Sequence, residues 1–451
     1  RMCLKKIKSL KVSQCMIVKN EEKNIRQALS WGKEMMWEQI VVDTGSSDRT
    51  AAIAEELGAK VFTYEWTDNF AAAKNYAISQ AQGDWIALLE ADEYITKEDV
   101  RKIQKVLPEL EEKGFDALST GIQNLNDEGQ VFSSGTQIRF FRNDPDIRYR
   151  RRIHEQLESV SGRKLRIGDA TSELSIFHTG YQKKALEGKE KNGRNRKLLM
   201  AELEESPDDY EIMGYIGDDF LADGEKETAE TWYRRSIQNL PSWIEDYDQR
   251  TAVTFTEFLR LLMEKEELTG DEVCLKEITK TYEKAVLLLP KEPDFDYLLG
   301  RFYAVKNETI KAQEHLEKAL DKLNTYGCYN KAMLLAVNVL DAYEILVHCC
   351  YKSGQLEKCI SYAVNYLKYN PYGMEVLYWF FKVLLPEGDV QANSDAQKQA
   401  VLEVLSKIYD LTLLKNKLFL IKTAEKAVGK DFSVFLLDRF FSPEEQRQLG
   451  L

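Results

Sequence analysis

The sequence has 451 residues, more than one ordinary hydrophobic core accommodates, so it predicts two or three domains. Hydrophobic residues make up 44% of the chain and charged residues 30%, which excludes a mainly disordered protein. The net charge of −12 argues against nonspecific binding to nucleic acid or to an anionic membrane, so no nucleic-acid partner is expected.

The N-terminal segment and the cysteines indicate where the protein works. RMCLKKIKSLKV has no long apolar core and no cleavage signal, and no later stretch approaches a membrane span. The 7 cysteines are odd in number and form no CxxC pair, which favours reduced, buried thiols over a disulfide framework or a zinc site. We therefore expect a cytoplasmic protein without a membrane span.

The first third of the chain alternates β-rich runs with segments of helical spacing. The predicted strands are VSQCMIV (12–18), QIVVDTG (39–45), AKVFTYEW (59–66) and DWIALLEA (84–91). Helical periodicity occurs at 21–35 and 47–58. Ser47 or Asp48 is the expected N-cap of the second helix, and Gly58 is its expected stop. Continuous apolar strands that alternate with helices predict a mostly parallel sheet covered by helices.

From about residue 200 the strand signal fades, and helical patterns run nearly to the end. The segments 224–241 and 354–371 both contain a glycine, a helical run with small and aromatic residues, and a closing proline. Pro207 and Pro241 are 34 positions apart, which is the period of the tetratricopeptide repeat. Such helix pairs stack into a curved array with a concave surface, because one pair cannot bury its apolar face alone. A generic helical bundle is the alternative.

Four segments of the first part form an ordered set of motifs. They are CMIVKNEE (15–22), VVDTGSSDRT (41–50), NFAAAKNYAISQAQGDWIALLEADEYIT (69–96) and RIHEQLE (152–158). In order and spacing this set resembles the family 2 glycosyltransferases. It is most similar to a bacterial subgroup that joins a catalytic domain of the A fold to tetratricopeptide repeats. That subgroup includes enzymes that glycosylate bacteriocin peptides on cysteine or serine.

The resemblance covers residues 11–200 strongly and the repeats loosely. It implies an α/β N-terminal nucleotide-sugar-binding domain of the A-type glycosyltransferase fold, followed by an all-α domain of tetratricopeptide-like repeats. We expect the catalytic domain over 1–200, the helical repeats over 201–385 and a C-terminal helical cap over 386–451.

The resemblance also implies a UDP-sugar as the donor. Asp43 follows an apolar strand at the edge where such sheets bind nucleotides, so its carboxylate can accept the imide N–H of uracil. An aspartate that only shapes the turn is the structural alternative. Lys74 stands where the family usually has a basic residue facing the donor, and a solvated helix face is the alternative there.

An acidic run of Glu90, Asp92 and Glu93 directly follows the last predicted strand. Carboxylate oxygens suit Mg²⁺ or Mn²⁺, which bridges the donor phosphates. By the acidic motif of the family Asp92 is the metal ligand, and His178 corresponds to the late histidine that completes the coordination in related enzymes. The family usually has Asp where this chain has Glu90. A solvated acidic turn and a hydrogen-bonded core histidine are the structural alternatives.

An inverting transfer needs a base that takes the proton of the acceptor, and a carboxylate in a partly dry cleft can act as one. Glu155 stands in the position of the family's base. His154 beside it is expected to orient the site or to bind the acceptor. Glu93 is the competing candidate for the base.

Two basic stretches flank this region. The segment 183–197 is predicted to be a mobile lid in which Arg194 clamps the leaving diphosphate, since guanidinium groups match phosphate oxygens. Most of the other basic residues, including those of RFFRNDPDIRYRRR (139–152), are expected to be ordinary surface charge.

The sequence thus predicts a metal-dependent, inverting glycosyltransferase that moves a hexose from a UDP-sugar to Cys or Ser of a peptide or protein. The repeats are expected to hold part of that acceptor, and a homodimer is left open. Two alternatives remain at this point. One is a transferase that acts on a cell-envelope glycan or a small molecule, and the other is a non-catalytic repeat scaffold, which Glu90 favours.

Overall fold

A computed structural model describes residues 10–180, 191–245, 248–327, 334–386 and 394–450 of the chain. The chain divides into two compact units, Arg1–Glu225 and Lys226–Leu451. Among the helices described, none is long and apolar enough to cross a membrane. The five cysteines that the structure describes are buried and unbridged, as predicted.

The first unit is built on one large mixed sheet and a small two-stranded sheet. Their strands are β1 (Val12–Val18), β2 (Glu38–Asp43), β3 (Lys60–Thr63), β4 (Trp85–Leu88), β5 (Glu93–Ile95), β6 (Ala117–Leu125), β7 (Val131–Arg142), β8 (Ile147–Arg150), β9 (Gln156–Ser159) and β10 (Ile167–His178). The large sheet has the order β3-β2-β1-β4-β7-β6-β10-β5, and β8 pairs with β9. Four of the seven pairings in the large sheet are parallel, so the expected parallel majority is found together with antiparallel pairs.

Six helices of the first unit are described. They are α1 (Ile25–Ser30), α2 (Thr50–Glu56), α3 (Phe70–Ser79), α4 (Lys97–Glu112), α5 (Lys191–Glu205) and α6 (Tyr210–Ala222). The helices α1 and α2 share one apolar cluster with β1 and β2, whereas α3 belongs to another. The expected N-cap of α2 is wrong by one or two residues, because Arg49 is the capping residue and Asp48 accepts from the amide of Thr50 at 2.9 Å just before it. Gly58 ends the helix as predicted, with a φ of +87°.

Strand direction brings the predicted site residues to one edge of the sheet. The pairs β1–β2 and β1–β4 are parallel, so β2 ends at Asp43 on the same edge as the turn that follows β4. Between β4 and β10 lie two antiparallel pairings and one parallel pairing, so β10 runs in the direction of β4. His178, the last residue of β10, therefore also reaches this edge.

The second unit is entirely helical over the residues described. Its helices are α7 (Lys226–Gln238), α8 (Gln249–Thr269), α9 (Glu272–Leu288), α10 (Asp294–Val305), α11 (Thr309–Tyr326), α12 (Leu334–Val337), α13 (Val339–Lys352), α14 (Leu356–Tyr369), α15 (Met374–Leu384), α16 (Asp395–Ser406), α17 (Leu414–Val428), α18 (Lys430–Phe440) and α19 (Pro443–Leu449). Helices α10 with α11 and α13 with α14 pack as successive pairs. The expected fold, an α/β domain followed by repeat-like helices, is confirmed.

The unit boundary differs from the predicted domain boundary. The first compact unit extends to Glu225, so α5 and α6 lie within it, whereas the sequence placed the end of the catalytic domain at 200. The physical reason is that side chains of both helices bind the loop between β8 and β9. At the other predicted boundary, 385, one apolar cluster runs from Val347 to Phe441 and joins the helices on both sides.

Candidate active site

Asp43 ends β2 with one carboxylate oxygen engaged and the other without a donor. Its Oδ1 accepts from the backbone amides of Gly45 at 2.8 Å and Ser46 at 2.7 Å, which fixes the turn after the strand. Gly45 has a φ of +105°, a conformation that favours glycine. The Oδ2 atom is buried, and no described residue hydrogen-bonds to it. A buried acceptor without a donor is costly, so this atom fits a ligand N–H.

The acidic turn after β4 is built around a buried arginine from β7. Arg139 donates from Nε to Oε2 of Glu93 at 3.0 Å and from Nη2 to Oε1 of Glu93 at 2.5 Å. The same Nη2 lies 3.2 Å from Oε1 of Glu90. Glu93 also accepts from the backbone amide of Glu90 at 2.9 Å, so its buried carboxylate stabilises the turn. These bonds give Glu93 a structural role and do not favour it as the base.

Lys74 connects this turn to the segment that contains the second predicted base. It is only 2% exposed, and its Nζ bonds to Oε1 of Glu155 and lies 3.7 Å from Oε1 of Glu90. Burial lowers the pKa of Lys74, but the two carboxylates outweigh burial and raise that pKa above its ordinary value. Burial alone would raise the pKa of Glu90, but Lys74 and Arg139 lower it to about 2. Lys74 and Glu90 are therefore charged at neutral pH.

Asp92 and His178 face each other across the end of the sheet. Oδ2 of Asp92 lies 3.6 Å from Nε2 of His178. The other ring nitrogen, Nδ1, lies 2.8 Å from Oδ1 of Asn124, whose amide nitrogen donates to Ser133. This orientation makes Nδ1 the donor and directs Nε2 toward Asp92, the arrangement that orients metal-binding histidines. Thr179 ties the two segments together, since its amide donates to the backbone oxygen of Asp92 at 3.0 Å.

The Asp92–His178 pair fits a divalent cation that is also held by a ligand. Two ligands at right angles on an ion, each about 2.1 Å from it, are about 3 Å apart, so a small shift from 3.6 Å suffices. Gly180 covers this pair, and a Cβ there would lie 2.4 Å from both Oδ2 of Asp92 and Nε2 of His178. Within the described residues no group of three or more His, Cys, Asp or Glu could hold a metal, so donor phosphates would have to supply the remaining ligands.

The pKa of His178 also indicates that the space between its ring and Asp92 attracts positive charge. Burial lowers the pKa of His178, but hydrogen bonding and the charge of Asp92 outweigh burial and raise it. A proton on Nε2 and a cation between the two side chains would occupy the same place. The pair therefore favours a cation whether that cation is a proton or a metal ion.

The remaining predicted residues lie around this cluster. His154 is exposed on the loop before Glu155, and its ring stacks on Tyr215 of α6 at 4.1 Å with an angle of 8°. Arg194 lies on α5 with its guanidinium 5.5 Å from the ring of Phe70, the first residue of α3. Most of the predicted lid, residues 183–190, lies outside the described residues.

Sequence reasoning missed three residues that build the site. Arg139 was grouped with the surface charges, and this is wrong because it is 7% exposed and paired with two carboxylates. Asn124 and Gly180, which orient and cover His178, were not singled out. Arg139 carries one usable signal: it precedes Phe140 and Phe141, two aromatic residues that lie in the core.

Comparison with known proteins agrees with this geometry. The Glycosyl transferase family 2 model matches residues 13–180. A TPR repeat-containing protein of Synechococcus elongatus is 35% identical over 233 residues, which are 50% of this chain and 56% of the relative. The SPbeta prophage-derived glycosyltransferase SunS of Bacillus subtilis is 25% identical over 334 residues, covering 72% of this chain and 75% of the relative.

The chain spans about half the length of the Synechococcus relative, at 56%. A crystal structure of S. aureus TarS in complex with UDP-GlcNAc is 17% identical, with a TM-score of 0.32, and the match covers 76% of this chain and 92% of that chain. The resemblance found in the four sequence motifs is confirmed by the family model. Residues 13–180 form a domain of glycosyl transferase family 2, and the helices that follow in the same chain fit tetratricopeptide-like repeats.

Proposed function

We propose that this chain is an inverting glycosyltransferase that moves a hexose from a UDP-sugar, with a divalent metal, to a cysteine or serine side chain of a peptide or protein. One observation carries the proposal. Asp43, Asp92 and His178 reach the same edge of one sheet, and Asp43 there keeps a buried oxygen to which no described residue donates.

The donor is inferred to bind along this edge with its base at β2. Oδ2 of Asp43 accepts the imide N–H of uracil, because Oδ1 is already held by two backbone amides. Adenine has no ring N–H on the corresponding edge. UDP-glucose and UDP-N-acetylglucosamine are the donors to test first.

Asp92 and His178 are the residues that would hold Mn²⁺ or Mg²⁺. When bound, such an ion neutralises the charge that develops on the leaving diphosphate. The carboxylate and imidazole ligands suit Mn²⁺ in particular. Asn124 orients the ring of His178, and Thr179 donates to the backbone oxygen of Asp92. Arg194 is the residue of α5 proposed to reach the diphosphate.

Glu155 is proposed as the base and Lys74 as its partner. The acceptor hydroxyl or thiol gives its proton to the Glu155 carboxylate while its oxygen or sulfur forms a bond to the anomeric carbon. The bond from that carbon to the phosphate oxygen breaks, and UDP leaves with the electron pair. Lys74 holds Glu155 in place, and within the described part of the chain it is the one side chain that hydrogen-bonds to it. His154 is proposed to contact the acceptor.

The peptide acceptor is supported by the helices of the second unit. Stacked helix pairs offer a concave surface that suits an extended chain. A glycan or small-molecule acceptor is the second candidate, and a scaffold without activity is the third.

The deciding experiment is incubation of the full chain with single nucleotide-sugars, Mn²⁺ and a library of cysteine- and serine-containing peptides. Release of UDP together with a mass increase of one hexose or one N-acetylhexosamine on a peptide supports the proposal. UDP release with sugar on a glycan instead of a peptide would identify the second candidate. No release from any donor would favour the scaffold.

A further inference from the structure

The loop that contains Glu155 has a backbone that needs outside support. This loop, residues 151–155, joins β8 to β9, and we call it the base loop. Arg151 has a φ of +80° and His154 a φ of +52°, in the left-handed region that non-glycine residues rarely adopt. Such conformations persist only where the surrounding structure over-determines them. The contacts of this loop therefore show what holds Glu155 in place.

Arg151 is bound by the beginning of α6. Its Nη2 donates to Oε2 of Glu211 at 2.7 Å, and its Nη1 lies 3.4 Å from Oδ2 of Asp209. The arginine side chain is 14% exposed and the two acids are 25% and 19% exposed, so these pairs are shielded from solvent. Asp209 is also the N-cap of α6, so Arg151 binds the start of that helix.

Arg152 and His154 add contacts to α5 and α6, two successive helices that we call the hairpin. The backbone amide of Arg152 donates to Oε2 of Glu202 at 2.6 Å, and its guanidinium bonds to Glu205. The ring of His154 stacks on Tyr215. Three of the five loop residues thus contact α5 and α6, the helices over 191–222.

The opposite side of the base loop is bound by α3. The amide of Phe70 donates to the backbone oxygen of Arg152 at 2.8 Å, and Lys74, one turn later, bonds to Glu155. The side chain of Asn75 makes two hydrogen bonds with the backbone of Tyr149, just before the loop. It donates to the backbone oxygen at 2.8 Å and accepts from the backbone amide at 2.9 Å. The loop is therefore held between α3 and the hairpin, and among the described residues only the hairpin binds the side chain of the strained Arg151.

We propose that the hairpin of α5 and α6 is the positioning element of the active site, and that Arg151 is the residue through which it places Glu155. Although 201–222 carries part of the repeat period, this segment serves the transfer reaction and not the repeat array. The proposal rests on the proposed role of Glu155 as the base. Arg151 is a positioning residue, since it acts through the loop and touches no reacting atom.

The test uses Arg151→Gly in the full chain. Glycine adopts a φ of +80° without strain, so the variant should fold, while both pairs to the hairpin are lost. We expect kcat for UDP release from UDP-glucose or UDP-N-acetylglucosamine to fall about a hundredfold, the scale of a misplacement of about 1 Å, with the KM for the donor unchanged. Arg196→Gln is the matched control, because Arg196 binds Asp219 and Asp223 inside the same hairpin. That variant should keep kcat within about twofold.

Glu155→Gln and the double variant separate the positioning from the base. If Arg151 acts through Glu155, Arg151→Gly has no further effect in the Glu155→Gln background. Near-normal kcat in Arg151→Gly, with Glu155→Gln inactive, overturns the positioning role and leaves the base intact. Full activity of Glu155→Gln with a serine acceptor removes the base and the positioning proposal together. If the losses of kcat in the two single variants multiply in the double variant, the positioning role is overturned as well.

A second measurement does not depend on turnover. Hydrogen–deuterium exchange of the peptide covering 150–158 should become at least tenfold faster in Arg151→Gly and stay unchanged in Arg196→Gln. Exchange that remains at the wild-type rate in Arg151→Gly would mean that α3 alone holds the loop, and the proposal would then be wrong.

Discussion

The ammonium group of Lys74 on α3 bonds to the carboxylate of Glu155, 81 positions later in the chain. The lysine side chain is 3% exposed and that of the glutamate 13%. Removing one partner of a shielded pair leaves the other charge uncompensated, whereas removing both costs less.

Lys74→Met should therefore destabilise the fold by about 3 kcal/mol, measured by urea unfolding. The double change Lys74→Met with Glu155→Gln should recover part of that loss. Arg26→Gln is the control, because it removes an exposed pair with Glu56 at 3.2 Å and should cost less than about 1 kcal/mol. Equal effects of Lys74→Met and Arg26→Gln would show that the buried pair adds nothing to stability.

The sequence predicted the strands and the acidic site residues because both depend on local pattern. β1 matches the predicted run at 12–18, since its side chains, including the polar Ser13 and Gln14, are almost all buried. Asp43 and Asp92 were singled out because they follow predicted strands. The bond from Arg139 to Glu93, 46 positions apart, depends instead on which strands become neighbours. Nothing local to Arg139 specifies that its neighbour carries a carboxylate.

The first compact unit extends past the predicted boundary at 200 for a related reason. Helical periodicity shows that a segment has an apolar face, but it does not show what that face or its charged ends will bind. The hairpin of α5 and α6 has the spacing of the repeats, yet Glu202 and Glu211 bind the loop between β8 and β9. The repeat signal thus predicted the helices, but it did not predict the contacts that Glu202 and Glu211 make with this loop.

Two fragments test where the first unit ends. A fragment that ends at 225 retains α6, so it should unfold cooperatively and bind UDP in Mn²⁺ like the full chain, yet modify a peptide poorly. A fragment that ends at 206 loses α6 with its buried Ile212, Met213 and Ile216. It should be less stable by several kcal/mol, because each buried aliphatic side chain contributes about 1.5–3 kcal/mol. Equal stability of the two fragments, measured by thermal unfolding, would place the boundary at 200 after all.

The metal ligands can be tested without altering the core. Asp92→Ala should abolish metal-dependent turnover and leave the unfolding midpoint nearly unchanged, since the residue lies in a turn at a strand end. Gly180→Ala should weaken Mn²⁺ binding as well, because its Cβ would lie 2.4 Å from both ligands. Gly129→Ala is the control glycine, with open space around its Cβ position and a φ of +74°. Mn²⁺ titration by calorimetry in the presence of UDP measures the metal affinity of the three variants. A wild-type affinity in Asp92→Ala would remove the assignment of Asp92 as a ligand.

Asp43→Asn tests the base of the donor. Because Oδ1 is fixed by the amides of Gly45 and Ser46, the asparagine would keep its oxygen there and turn its NH₂ group toward the uracil N–H. Two donors would then face each other. UDP should bind at least tenfold more weakly, since a hydrogen bond to a charged group contributes about 1.5–3 kcal/mol. Calorimetry should also show UDP binding more tightly than GDP to the unaltered chain, and the opposite order would exclude a uracil site.

The base can be separated from the nucleophile by comparing two acceptors. A cysteine thiol with a pKa of about 8.5 is already partly ionised at neutral pH, whereas a serine hydroxyl is not. Glu155→Gln should therefore cost serine transfer about a hundredfold or more, and cysteine transfer much less.

Raising the pH from 7 to 9 should rescue cysteine transfer in the Glu155→Gln variant, because the thiolate needs no base. Serine transfer should stay low over this range. Glu93→Gln is the comparison for the competing candidate. Since Glu93 accepts two bonds from Arg139, its variant should lose stability and slow both acceptors alike at every pH. Equal losses for both acceptors in Glu155→Gln would mean instead that Glu155 holds the loop through Lys74 and that another group takes the proton.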